Sequence, residues 1–357
     1  MLKLTGKFGK DCKVFIDNVE QSALATIYSI LDDEVSANVP VRIMPDTHDG
    51  VDIVIGFTMP ISDRVNPNHI GVDIGCGVSC WRFPKMAMSL AEIDERIRAA
   101  VPMGFAHRAS ALPLYDNHGI EMLARKIGQD FGGICRQIGT LGGGNHFIEI
   151  GECGDEWYLF VHSGSRNFGL QVCKYHAAKA KASGSKYLFG ADMKEYFDDM
   201  MTAQWFAIFN RDTIIGEILS TLDADAEYVC DTVHNYIDFD RNIIRKGAVR
   251  AEADETLVIP MNMRNGVLLC RGKGNPDWNY SAPHGAGRVL ARSQAKRQLE
   301  MEEFERQMAG IYSSSVCPST LDESPMAYKD MQTIIDCIGD TVEVIQTIKP
   351  ILNIKAL

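Results

Sequence analysis

The chain has 357 residues, 46% hydrophobic and 23% charged, the make-up of a soluble globular protein with room for one large domain or two ordinary ones. No apolar run approaches the roughly 18 residues that a bilayer crossing needs, and the opening Met-Leu-Lys-Leu-Thr-Gly-Lys lacks the apolar stretch of a secretory signal, so the cytoplasm is the expected location. A formal net charge of −11 argues against a broadly basic nucleic-acid binder.

Helical periodicity and β-rich runs alternate along the chain. In order, the patterns predict a helix over 19–33, strands over 41–44, 51–58 and 78–83, and helices over 90–100 and 119–131. Strands over 147–150 and 157–162 follow, then helices over 170–183, 193–222 and 226–239. Strands over 256–260 and 266–271 precede helices over 286–308 and 327–337. No repeat, low-complexity tract or linker interrupts them. The expectation is a mixed α/β (α+β) fold forming a single domain over residues 1–357, with a deep polar cleft that holds metal.

The ten cysteines are scattered with no Cys-x-x-Cys pair, which predicts reduced thiols. Cys80, inside Val-Ser-Cys-Trp-Arg-Phe, reads as core. Between Arg241 and Arg297, eleven Lys and Arg side chains stand against four acidic ones, and such a positive zone suits a phosphate-rich substrate at one cleft.

The polar residues that carry chemistry cluster in glycine-rich turns: Asp73-Ile-Gly-Cys76-Gly, Asn145-His146, His162-Ser-Gly-Ser-Arg166, His234-Asn235 and His284-Gly-Ala-Gly-Arg288. Asp73 and Cys76 are spaced so that one tight turn can aim both inward, with glycines allowing close backbone approach. A thiolate beside divalent ions is stabilised and can bridge them. His146, His162 and His234 add neutral imidazoles, the commonest ligands of borderline ions. Five such donors exceed one tetrahedral ion and suit two ions sharing a bridging group; the residue types leave manganese and zinc both open. A lone histidine is more often a core residue than a ligand, and His234, read as helical, is where that bland reading weighs most. His284 falls at the predicted start of a helix, where the macrodipole disfavours imidazolium and welcomes a phosphate. It therefore reads as a nucleophile, with Arg288 one turn on to fork onto phosphate oxygens. Gly272-Lys-Gly-Asn lacks the spacing of a P-loop.

Read together, Met44-Pro-Asp-Thr-His48, Gly71-Val-Asp-Ile-Gly-Cys-Gly77, Leu141-Gly-Gly-Gly-Asn-His-Phe-Ile-Glu149, Val161-His-Ser-Gly-Ser-Arg166, His234-Asn-Tyr and Ser281-Ala-Pro-His-Gly-Ala-Gly-Arg288 closely resemble the RtcB family of RNA ligases, in the family's order from about Met44 to the C-terminus. The resemblance implies an enzyme that uses GTP and Mn²⁺ to join an RNA 3′-phosphate or 2′,3′-cyclic phosphate to a 5′-hydroxyl, in RNA repair or tRNA splicing. It implies that Asp73, Cys76, His146, His162 and His234 hold two Mn²⁺ ions, with Cys76 bridging. His284 would take GMP from GTP as a phosphoramidate, hand it to the RNA 3′-phosphate, and the 5′-hydroxyl would then displace it. Asn145, Arg166 and Arg288 would contact phosphates. Phe147, Glu149, Tyr328 and Lys355 would surround the guanine, and Asn235 would join the nucleotide contacts. Asp46 and His48 lie in a family motif without an assigned step. Ile259-Pro-Met-Asn-Met-Arg-Asn-Gly266 departs from the family's Gly-Ser-Met-Gly turn, so Asn262 or Asn265 would have to replace its nucleotide contacts. The chain resembles the compact branch, and a monomer is the default expectation.

Two other functions use the same residues. A two-metal phosphoesterase or nuclease would employ water as nucleophile and leave His284 without a covalent task. A non-catalytic RNA-binding relative would have no use for the complete donor set.

Overall fold

In a computed structural model, described here for residues 1–112 and 118–357, the chain forms two large sheets with helices packed around them. The seven-stranded sheet runs, in spatial order, Glu227–Val233, Gly77–Pro84, Glu156–Ser163, Phe147–Cys153, Val342–Ile354, Gly266–Gly272 and Thr256–Asn262, every neighbour antiparallel. The six-stranded sheet runs Leu2–Leu4, Cys12–Val14, Val41–His48, Ile55–Pro60, Ile243–Lys246 and Asn235–Asp238. Its one parallel pairing joins Cys12–Val14 to Val41–His48. A short ladder of Ala248–Arg250 with Ser281–Pro283 completes the part of the scaffold that carries the site.

The mixed α/β expectation holds, and each predicted strand overlaps an observed one. Two predicted helices do not survive. Residues 226–239 form strands Glu227–Val233 and Asn235–Asp238. Their β-branched and aromatic side chains (Tyr228, Val229, Thr232, Val233, Tyr236) suit a pleated surface better than a helical turn, and Cys230 and Thr232 alternate inward with period two. Residues 286–308 hold two short helices, Arg292–Gln298 and Met301–Gln307, instead of one long one. Upstream of them the chain bonds elsewhere: Val289 N donates to Ala327 O, and Lys329 N to Gly287 O. His284 therefore follows strand Ser281–Pro283, and the helix-dipole argument made for it fails.

Helix Gly190–Leu222 braces the site from behind with two fully buried polar residues. Asn210 accepts from Gly139 N and Thr140 N and donates to Thr140 O, Ser163 Oγ and Gly164 O. Arg211 pairs with Asp231 and donates to Gly75 O and Ser163 O. Each such buried bond resists loss, because the orphaned partner would keep its desolvation penalty of roughly 1–3 kcal/mol. One helix thus fixes three loops that deliver candidate ligands. All ten cysteines are free thiols, and Cys80 is core. Among the described residues no helix is long and apolar enough to cross a membrane.

Candidate active site

The seven-stranded sheet places the donors at one end. Strand Gly77–Pro84 begins directly after Cys76, and Glu156–Ser163 carries His162 near its end, opposite Val78. Phe147–Cys153 starts directly after His146. His234 is the single residue between a strand of one sheet and a strand of the other. Its N–H donates to Cys76 O at 2.9 Å, and its carbonyl accepts from Gly247 N and Ala248 N.

The side chains converge. Cys76 Sγ lies 3.2 Å from His162 Nε2 and 3.5 Å from His146 Nε2, and the ligand atoms of all three residues fall within 4.8 Å of one another. Asp73 Oδ2 reaches His146 Nε2 at 3.0 Å. The His234 ring lies 5.2 Å from that of His162, edge-on, and 4.8 Å from that of His284, tilted by 54°. His146 Nδ1 meets Leu141 O at 3.0 Å, so with Nε2 given to a metal the ring would keep its proton on Nδ1. Burial holds the His162 and His234 rings well below the ordinary imidazole range, so both are neutral. Burial, reinforced by Asp73, pushes the Cys76 thiol up. Burial acts to raise Asp73 as well, but His146 together with the Cys76 thiol and His162 holds the carboxyl low. Neutral imidazoles, a carboxylate and a thiol that only a cation would ionise are a donor set that fits a divalent ion.

Sequence reasoning left Asp46 and His48 without a step. Asp46 Oδ2 accepts from the His284 backbone N–H at 3.1 Å and meets His284 Nδ1 at 2.5 Å. The carboxylate fully buried on strand Val41–His48 thus holds the imidazole by Nδ1 and leaves Nε2 free, which replaces the helix dipole as the device that prepares His284. His48 Nδ1 meets Asp46 O, and burial pushes its imidazole down to about 4.

A cavity of about 600 Å³ opens in front of these rings. His162 and His284 form part of its wall, together with His48, Asn145, Phe147, Glu149, Asn262, Arg288, Tyr328 and Lys355. Of the other predicted contacts, Arg166 and Asn235 do not line it. Arg166 sits against His146 Nδ1 at 3.4 Å with a backbone φ of 56°, a costly conformation for a non-glycine residue at the edge of a site. Asn235 bonds Asp73 O and Gly247 N, so it holds the ligand loops. Asn262 turns its side-chain oxygen to Arg264 N and Asn265 N.

The inner wall carries a carboxylate that sequence reasoning missed. Glu323 is buried and accepts from Lys355 Nζ at 2.9 Å, Tyr328 OH at 2.8 Å, Arg292 Nη1 at 2.5 Å and Arg288 Nη1 at 3.3 Å. Burial would raise its carboxyl, but Lys355 and Arg292 hold it down to about 2. Its signal was Asp322-Glu323 just ahead of the Ala-Tyr328-Lys segment already singled out. Arg288 has its guanidinium committed to Glu323, Tyr328, Asp322 O and Leu290 O. The positive zone of residues 241–297 is largely spent on ion pairs: Arg241 with Glu252, Arg245 with Asp238 and Arg250 with Glu255.

A buried thiol–imidazole cluster with a partly exposed carboxylate, opening onto a cavity of about 600 Å³ with one further histidine held by a buried carboxylate, defines a candidate metal-dependent active site. The family described as "tRNA-splicing ligase RtcB" matches residues 35–130 and 129–356. The RNA-splicing ligase RtcB of Escherichia coli K12 is 30% identical, covering 88% of this chain and 90% of its own. RNA-splicing ligase RtcB2 of Escherichia coli ATCC 25922 is 25% identical over 87% of this chain and 86% of its own. The tRNA-splicing ligase RtcB of Aeropyrum pernix is 25% identical over 82% of each. The chain belongs to the RtcB family.

Proposed function

We propose that this chain is a GTP- and Mn²⁺-dependent RNA ligase that joins 3′-phosphate or 2′,3′-cyclic phosphate ends to 5′-hydroxyl ends, working as one catalytic domain in the cytoplasm. The observation that carries the reading is His284, held through Nδ1 by Asp46 with its ring against His234 at the cavity wall. A water-activating phosphoesterase needs no such imidazole. Asp73, Cys76, His146, His162 and His234 would hold two Mn²⁺ ions, which would neutralise phosphate charge and polarise the attacked phosphorus. His284 Nε2 attacks the α-phosphorus of GTP, the bond to the β-phosphate oxygen breaks and pyrophosphate leaves. Asp46 keeps the Nδ1 proton in place and steadies the charge that develops on the ring. The RNA 3′-phosphate takes the GMP from His284, and the 5′-hydroxyl then displaces it; a cyclic phosphate is first opened to a 3′-phosphate.

The guanine pocket is Phe147, Glu149, Tyr328 and Lys355. Glu149 Oε1 is buried with no hydrogen-bond partner among the described residues, while its other oxygen accepts from Asn353 Nδ2 at 2.7 Å. The free oxygen suits the N–H edge of guanine. Lys355 lies 5.6 Å from the Phe147 ring centroid.

The direct test supplies GTP, Mn²⁺ and two RNA oligonucleotides, one ending in 3′-phosphate and one beginning with 5′-hydroxyl. A joined product that requires both cofactors supports the reading; RNA cleavage without joining refutes it. Asp46→Asn is expected to slow GMP transfer to the protein by on the order of 10²-fold or more, because an amide can donate to Nδ1 and favour the wrong tautomer. Single-turnover labelling at saturating GTP measures it, and an unchanged rate would remove Asp46 from the mechanism.

Glu149 gives a pH signature. Burial raises its carboxyl to about 8, against the pull of Asn353 and Lys355. Guanine donors favour the ionised form, so the nucleotide must displace a proton below that value. GTP affinity is expected to rise with pH, by at most about tenfold per unit, and to level off above about 8. Calorimetry in buffers of different ionisation enthalpy reads the released proton, and Glu149→Gln is expected to flatten the profile.

A further inference from the structure

Phe105 is fully exposed, at 104% of its reference surface, yet its loop is firmly held. Gly104 N donates to Gly142 O, Leu141 N to Pro102 O, and Arg108 N to Arg136 O. Arg166, beside His146, donates from Nη2 to Gly104 O at 3.3 Å. The loop therefore packs on the Gly142–Gly144 turn that leads into Asn145 and His146. A β-carbon at Gly143 would sit 3.7 Å from Gly104 Cα, and one at Gly144 would sit 3.6 Å from the Arg292 guanidinium. A ledge of bare, exposed peptide thus runs to the metal donors, with an aromatic ring on one side and Arg292 on the other.

Single exposed apolar side chains are common; Phe105 stands out by its place, on an ordered loop bonded to the turn that delivers Asn145 and His146. Ala106, His107, Gly143, Gly144 and Asn145 around it are exposed and small or polar; the apolar side chains on this side are Ala356, which a β-carbon at Gly104 would meet at 3.7 Å, and the exposed Leu357 after it. The occupant that fits offers a flat π-face joined to an anionic, hydrogen-bonding backbone, which is a single-stranded nucleotide. Glycines let such a backbone approach closely.

We propose that Phe105 is the stacking platform for a base near the RNA end entering the active site, with the RNA backbone crossing the Gly143–Gly144 ledge. The proposal rests on the RNA-joining function above and adds the place where the RNA is gripped. Stacking is tolerant of base identity, so Phe105 contributes affinity and aim with little sequence preference.

The test uses the full chain and a single-stranded RNA ending in 3′-phosphate, with 2-aminopurine placed in turn at each of the last few positions. Phe105→Ala and Phe105→Leu are expected to raise the RNA Kd and the ligation KM about tenfold. Phe105→Trp restores both, and one 2-aminopurine position loses its stacking quench only in the Ala and Leu variants. GMP transfer to the protein, and kcat at saturating RNA, stay at wild-type level. Wild-type RNA affinity in Phe105→Ala, or a leucine variant indistinguishable from phenylalanine, overturns the proposal. Should the wild-type chain ligate nothing, the ligase reading fails, and the RNA-binding and fluorescence arms still decide the role of Phe105.

Discussion

His284→Ala is expected to abolish the transfer of label from GTP radiolabelled at the α-phosphate, to below about one-thousandth of the wild-type level. The wild-type adduct should be labile in acid and stable in alkali, as a phosphoramidate is. The argument is geometric. His284 is anchored twice by one carboxylate oxygen, through its backbone N–H and through Nδ1, so the ring has a single orientation and one free nitrogen. Alanine keeps the backbone contact and deletes that nitrogen. The metal donors are separate residues, so metal content should stay at the wild-type level and distinguish a lost nucleophile from a lost centre. Label that persists in the alanine protein would assign the nucleophile elsewhere.

Cys76→Ala is expected to fail earlier, at metal binding. Its sulfur contacts both His146 and His162, so its removal takes away the atom shared between them. Outer-shell changes alone commonly cost about 10–100-fold in metal affinity, and loss of a central ligand should exceed that. Elemental analysis after gel filtration should find most of the Mn²⁺ gone, and protein labelling should fall with it. Loss of one buried sulfur costs the fold only about 1–2 kcal/mol of packing, so an unfolded protein would not explain the result. Full metal content in this variant would contradict the ligand assignment.

Much of the site was legible because its residues sit in glycine-rich turns at strand ends, where local spacing reports on function. Cys76, His146 and His162 are such residues, and the strands beside them are short, nearly continuous buried runs bounded by turn residues. His234 was misplaced on a helix, because a short run such as Tyr-Val-Cys-Asp-Thr-Val fits both periodicities; its β-branched and aromatic content favours the strand that the sheet partners complete. Strand Val342–Ile354 escaped notice: Pro350, Lys349 and Gln346 break its apolar pattern, and the proline is accommodated where the pairing register shifts. The partnership of Asp46 with His284 spans 238 residues, and that of Glu323 with Lys355 joins two segments with no shared pattern. Such pairs are written in tertiary packing, not in spacing. The helix dipole assigned to His284 was wrong for the same reason: which group steadies a side chain depends on what the fold brings to it.

The crossing at His234 leaves the chain no slack. Val233 is locked opposite Gly77 on one side and Asn235 opposite Lys246 on the other, with one residue to span the gap. Adding or deleting a residue there would reverse the inside-out parity of a whole strand, sending buried side chains to solvent. This joint can change over evolutionary time by substitution and hardly at all by length, whereas loops that end in solvent remain free to grow.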